Sequence, residues 1–199
     1  MKKFIAIAIA SLSFNALADH HVKHMVTLGG YTTGNAQDRA LDFSYSSNNE
    51  DTVTNKDVKN QNIALNYAYA INNHWQVGVV YKNFKTTNDG DVTSGSSTTM
   101  GLKAIYNFDG LTNSNYLAAG YSIQNFKDDA TSGSQDGDKN TIMGVEFGHR
   151  FSIGTIWGMN FNYSPSLTVS QSTFSPDAGG DDVKTMAASV DFVKFDVLF

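Results

Sequence analysis

The feature that most constrains this chain is a period of two. Apolar side chains recur at every second position through Ile63, Leu65, Tyr67, Tyr69 and Ile71, and again through Trp75, Val77, Val79 and Tyr81. The same spacing runs through Met100–Phe108, Leu117–Ile123, Met143–Phe147 and Trp157–Tyr163. That is the repeat of a β-strand with one apolar face. The interleaved positions decide which way that face points. They are mostly small, as at Ala64, Ala68, Gly78, Gly101, Ser122, Gly144 and Gly148. A soluble β-sandwich would place charged and long polar side chains on its outer face. Small residues suit the cramped interior of a narrow closed barrel, which leaves the apolar face for lipid.

The connections predict the topology. Ile71-Asn72-Asn73-His74, Asp109 to Ser114 and Ser152-Ile153-Gly154 read as short turns. Between them lie long polar stretches near 33–60, 86–97, 127–139 and 170–182. Strict alternation of short and long connections is the asymmetry of an outer-membrane barrel, with short periplasmic turns and long extracellular loops. Strands are expected near 22–32, 61–71, 74–85, 98–108, 115–126, 140–152, 155–168 and 184–199. The expected fold is all-β: a closed antiparallel up-and-down transmembrane β-barrel of eight strands. Leu41, Phe43 and Tyr45 also alternate. Residues 39–46 therefore either extend the first strand through a bulge near Gly29-Gly30 or Gly34, or form part of an extracellular hairpin above the membrane; ten membrane strands would disturb the long–short alternation.

The N-terminus reads as an address. Lys2 and Lys3 precede the apolar run Phe4 to Phe14, and Ala16-Leu17-Ala18 is a small-x-small cleavage site. The run is shorter than the roughly 20 apolar residues a membrane helix needs. Residues 1–18 are thus expected to be a cleaved signal peptide and 19–199 the barrel, placed in a bacterial outer membrane. The chain has no cysteine, which excludes a disulfide scaffold, a thiolate site and a lipoprotein anchor. Its formal charge of −5 makes it a poor partner for nucleic acid.

The C-terminus ends Val193-Lys194-Phe195-Asp196-Val197-Leu198-Phe199, apolar at every second residue back from the terminal Phe. Here the chain resembles the small outer-membrane β-barrels of the OmpX, OmpA-barrel and OmpW group. The resemblance spans the mature chain as architecture only. It implies that Val193, Phe195, Val197 and Phe199 carry an assembly signal for the barrel-assembly machinery. It also implies lipid and lipopolysaccharide as surroundings. Upstream, the apolar parity changes at Phe192-Val193, so a bulge is expected there, with Asp191 turned inward. The topology puts Trp75, Phe108, Tyr116, Phe151, Trp157 and Phe199 at the periplasmic edge as an aromatic girdle.

Parity also assigns Lys82, Lys103, Glu146, Arg150, Lys194 and Asp196 to the lumen, where charges must be paired or hydrated. Lys103 and Glu146 are expected at one depth, as partners. An internal ion-pair network is one reading; a selectivity network in a narrow pore or conduit is the other. A lipid A-modifying enzyme would need a Ser, His and acid group near the outer leaflet. His74 and His149 instead fall at the periplasmic end, so no catalytic residue is assigned. The acidic residues of the outer loops read as solvated, with divalent bridges to lipopolysaccharide phosphates as an alternative. The function expected is structural or a surface interaction through those loops.

One chemistry remains at the expected mature N-terminus, Asp19-His20-His21. A free amine with His at the third position can hold Cu²⁺ or Ni²⁺ in a square plane through amine, amides and imidazole. A solvated tail is the plainer reading. If cleavage follows Ala18, intact mass shows a chain starting at Asp19, and that chain binds Cu²⁺ more tightly than the same chain with an acetylated amine. Equal affinities would remove the site.

Overall fold

The structure is a computed structural model and describes residues 23–28, 32–33, 45–50, 58–88, 95–128 and 137–199. The expected signal peptide, Asp19, His20 and His21 lie outside these residues, as do parts of the first three long connections. Among the described residues every regular element is a strand and every pairing is antiparallel: β1 (His24–Leu28), β2 (Thr32–Thr33), β3 (Tyr45–Glu50), β4 (Val58–Ala70), β5 (Trp75–Asn88), β6 (Gly95–Asn107), β7 (Asn115–Asp128), β8 (Lys139–His149), β9 (Phe151–Ile156), β10 (Met159–Tyr163), β11 (Ser166–Ser175), β12 (Val183–Asp191) and β13 (Phe195–Leu198).

Several of these are pieces of one wall strand. Arg150 alone separates β8 from β9, and β9 pairs with β10 as β8 pairs with β11. Against the last strand, β1 and β2 share one register, with Leu28 opposite Phe195 and Thr32 opposite Asp191. Among the described residues, β1 with β2, β4, β5, β6, β7, β8 with β9, β10 with β11 and β12 with β13 occupy eight positions in the wall. Each pairs with the next, and the first pairs with the last, so the ladder closes. β3 lies beside the upper part of β4, with Tyr45 opposite Ile63, in line above β1. Tyr45–Glu50 therefore runs along the wall, and residues 39–44 lie outside the described set.

The register fixes the stagger. From Asn162 the ladder passes through Asp196, Thr27, Asn66, Val80, Gly101, Ser122 and Ile142, and returns to the seventh strand at Ser172, ten residues further on. At about 3.3 Å per residue and about 4.8 Å between strands, that stagger tilts the strands by about 40°.

Burial is reversed relative to a soluble protein. Leu102 (67%), Met100, Met143, Val145 and Phe147 are exposed on the outer face, while Asn66, Gln76 and Asn107 are completely buried inside. A narrow lumen filled by polar side chains and an apolar exterior is the construction of a membrane-spanning barrel.

Two expected connections are corrected. Ser152-Ile153-Gly154 is not a turn: β9 runs through it, with Ile153 as a bulge residue between the pairs Ser152–Asn162 and Gly154–Phe161. The turn is Trp157-Gly158, where both residues have positive φ (51° and 79°), as a two-residue type I′ hairpin requires. The loop near 170–182 is shorter than expected, because β11 reaches Ser175 and β12 begins at Val183. It is tied down by the Asp177 N–H, which donates to Asp138 Oδ1 at 2.8 Å.

The bulge at Phe192-Val193 is present. Ser164 N–H donates to Lys194 O while Ser166 faces Asp191, so Pro165 stands opposite both residues. Phe192 and Val193 both face outward, and Asp191 is buried. Pro165 has no N–H to give the ladder, and both neighbouring strands break at its level.

Closure makes a direct prediction in a chain without cysteine. Val26 and Val197 are Cα partners across the seam between first and last strands, at a separation of about 5.5 Å that a disulfide spans. Val26→Cys with Val197→Cys is expected to form an intramolecular disulfide on oxidation of the folded protein. Failure to cross-link while the protein is folded would mean an open sheet.

Candidate functional site: the lumen network

The inward parity of six wall strands brings charged and polar side chains together in the half of the lumen nearer Lys23 and Phe199. Glu146 on β8 accepts a hydrogen bond from the Tyr116 hydroxyl at 2.5 Å and forms an ion pair with Lys194, which precedes β13. Lys194 also donates to the Tyr116 oxygen at 3.0 Å. Beside this triad, Arg150 Nε donates to Asp196 Oδ2 at 2.9 Å, and Thr27 Oγ1 donates to Asp196 Oδ1 at 2.8 Å. The other end of the Arg150 guanidinium donates to Asn107 Oδ1 and lies 3.3 Å from Met25 Sδ. Asn107 Nδ2 in turn donates to Gln76 Oε1 at 3.3 Å. The Tyr116 ring joins the two halves, with Arg150 Cζ 4.5 Å from its centroid.

Every charged member is buried: Arg150 is 1% exposed and Glu146 2%. Interleaved with the network, Met25, Ala68, Ile105, Ala118 and Leu198 form an apolar cluster with Tyr116, and Leu111 from the Asp109–Ser114 turn packs against it. Ion pairs and apolar plug together fill this end of the lumen.

The expected pairing of Lys103 with Glu146 is corrected, since Glu146 takes Lys194. Lys103 does face the lumen and is buried. Its stem lies against Gly78, where an added Cβ would stand 2.8 Å from Lys103 Cε. Lys82, half-buried, lies higher on β5, opposite Thr99.

Tyr116 is the second correction. It was expected in the lipid-facing girdle, but it is 2% exposed and points inward. Its neighbours Leu117 and Ala119 face outward, so strand parity alone requires this. Gly148 admits the ring: an added Cβ there would come within 2.6 Å of Tyr116 Cζ. Trp75, Phe108 and Phe151 are exposed on the outer face, and Tyr106 fills the gap between Trp75 and Phe108, with centroids 5.0 and 5.2 Å away. Trp157 sits on the hairpin tip, not at the start of a strand. At the C-terminus Val193 and Phe195 are exposed and Val197 is buried. Phe199 exchanges backbone hydrogen bonds with His24 at 2.8 and 2.9 Å.

His149 Nδ1 lies 2.9 Å from Asn115 Oδ1, and His74 Nδ1 lies 2.9 Å from Asn107 O. Among the described residues no three His, Cys, Asp or Glu side chains group to hold a metal.

The closed ladder, lipid-type exterior and plugged interior define an integral up-and-down β-barrel. No protein-family model and no curated protein sequence matches the chain. Its structure is similar to the crystal structure of Neisserial surface protein A (NspA), at 14% identity and a TM-score of 0.43 over 89% of this chain and 94% of that one. It is similar to outer membrane protein OprG from Pseudomonas aeruginosa, at 17% identity and a TM-score of 0.42 over 90% and 94%. It is also similar to outer membrane protein AlkL, solved in DMPC bilayers, at 12% identity and a TM-score of 0.40 over 91% and 89%. The barrel assignment itself rests on this chain's own ladder and burial.

The network predicts a specific mutational pattern. Glu146→Ala or Lys194→Ala alone leaves a buried charge unpaired and is expected to cost about 3–5 kcal/mol, with the double variant milder than either. Gly148→Ala, which displaces Tyr116, is expected to cost about 1–3 kcal/mol. Gly144→Ala, with its nearest contact at 3.4 Å, serves as the mild control. Urea unfolding of all variants in one lipid checks this, and additive effects of a few tenths of a kcal/mol would contradict it.

Proposed function

We propose that this protein is an integral barrel of a bacterial outer membrane that acts as a structural or surface-interaction element, through its extracellular loops, and not as a pore. The observation that carries this reading is the lumen network. Side chains from six of the eight wall strands meet in hydrogen-bond and ion-pair contact, packed together with an apolar cluster around Tyr116. A conducting lumen needs a continuous wetted path, and a small barrel filled by its own side chains leaves none. What the barrel then offers to other molecules is its lipid-facing wall and the connections at the far end. Loops set on a rigid scaffold are where recognition usually resides. Lipid, lipopolysaccharide and, during biogenesis, the barrel-assembly machinery are the partners this reading implies.

The signal-like N-terminal sequence, the alternating C-terminus and the exposed apolar belt support placement in the outer membrane. No catalytic role is proposed. A narrow conduit for ions or small hydrophobic solutes is the competing reading, and one measurement separates the two. Refolded protein in a planar bilayer is expected to give no steady single-channel steps. Steady steps, lost on blocking the lumen from the far end, would reverse the order of the two readings.

A further inference from the structure

The hairpin of β9 and β10 prolongs the barrel wall past the other inner turns, with β10 still paired to β13 from Asn160 to Tyr163 and the β9 edge open. β7 begins at Asn115, opposite His149, so from Phe151 onward β9 pairs only with β10 among the described residues. The other two inner turns close directly after Ala70 and Asn107. This hairpin runs on to Ile156 and reaches about 12 Å further along the axis.

Its two faces differ in kind. Strand parity continues the barrel's outer surface through Phe151, Ile156, Met159, Phe161 and Tyr163, with the bulge residue Ile153 among them. The lumen side carries Ser152, Thr155, Asn160 and Asn162, and Thr155 Oγ1 donates to Asn160 Oδ1 at 2.7 Å. From Phe151 to Tyr163 there is no charged residue. Ile153 and Ile156 are more than half exposed, and Trp157 at the tip is 88% exposed. Trp157 also holds a left-handed conformation (φ 51°), where Asn or Gly would be unstrained. The apolar face is continuous with the wall's aromatic belt, through ring contacts from Phe151 to Tyr163 (6.0 Å) and Tyr163 to Phe195 (5.9 Å).

We propose that this ribbon is a lipid anchor: its apolar face lies in the interfacial zone of the periplasmic leaflet, with Trp157 at headgroup level. The proposal rests on the membrane reading given above. A lipid surface fits because the face prolongs one already turned toward lipid, has no charge with which to select a protein partner, and ends in the residue type that membrane interfaces favour. The anchor makes the apolar belt deeper on one side of the barrel than on the other.

The chain has two tryptophans, Trp75 in the belt and Trp157 on the ribbon. Trp75→Phe and Trp157→Phe therefore each leave one reporter. Both variants are refolded into phosphatidylcholine vesicles brominated at shallow or deep acyl positions, and folding is verified by heat-modifiable gel mobility. Trp75 is expected to be quenched by the brominated lipid. Trp157 is expected to be quenched as well, most strongly by shallow bromine, and to be several-fold less accessible to acrylamide than in urea. Both effects should persist as protein is diluted in lipid. A quenched Trp75 beside an unquenched, acrylamide-accessible Trp157 overturns the anchor and leaves the membrane reading intact. Shielding of Trp157 that fades on dilution overturns it in favour of a second copy of the chain. An unquenched Trp75 in folded protein overturns both.

Discussion

A peptide N–H or C=O turned toward hydrocarbon finds no partner, and each one left open costs several kcal/mol. An antiparallel sheet meets that constraint only by closing on itself, and the rest of this structure depends on how the closure is made. The ladder returns to its own strand ten residues displaced, from Asn162 to Ser172. Every position on that circuit points inward, from Asp196 and Thr27 to Ser122 and Ile142. The stagger therefore decides which residues from different strands share a level inside the barrel. Those shared levels build the lumen.

The lumen then faces an electrostatic problem. Arg150, Lys194 and Lys103 are buried among Glu146, Asp196 and Asp191, three cations and three anions. Isolated, each would carry a desolvation cost of several kcal/mol, and pairing recovers it only when the remaining donors and acceptors are also engaged. Arg150 illustrates the solution: its planar fork reaches Asp196 on one side and Asn107 on the other, with the Tyr116 face alongside. A lysine, whose donors share one nitrogen, could not reach partners on opposite sides in this way. Tyr116 does for Glu146 and Lys194 what Asn107 does for Arg150, donating to one and accepting from the other. Breaking the ring's seat at Gly148 therefore disturbs both ion pairs.

Much of this was legible in the sequence because strand parity is a local property. The outer face of β4 to β8, the inward turn of Asp191 and the bulge at Phe192-Val193 all follow from counting in twos. Tyr116 stands near a turn, where girdle residues fall, but its parity against lipid-facing Leu117 turns it inward. The hairpin at Trp157-Gly158 was hidden because Ser152-Ile153-Gly154 has turn-like composition. A glycine inside a strand more often marks a bulge, which is what stands there. The choice of Lys194 over Lys103 as partner for Glu146 was not legible at all. Parity gives the side and the depth along one strand. Which two strands meet across the lumen also needs the stagger and the shapes of Tyr116 and Gly148, and these are properties of the closed barrel.

The two ends of the barrel are built on different principles. Near the termini, Met25, Leu198 and Leu111 pack among a connected set of ion pairs, and the turns are short. Toward the far end the inward residues become Ser97, Thr99, Ser122, Gln124, Asn140 and Ser172. The hydrogen bonds shown among them are few and longer: Gln124 to Ser97 at 3.1 Å and Asn140 to Gln124 at 3.4 Å. Stability is thus concentrated where the chain starts and ends, and the far end is held chiefly by the backbone ladder. Such a division lets the far connections change in length and composition without disturbing the network, because among the described residues no member of it comes from them. On the proposed reading, a barrel that presents loops gains from this separation, whereas a barrel that conducts would hold its selective groups open along the path; here Glu146, Lys194, Arg150 and Asp196 are instead locked in two ion pairs.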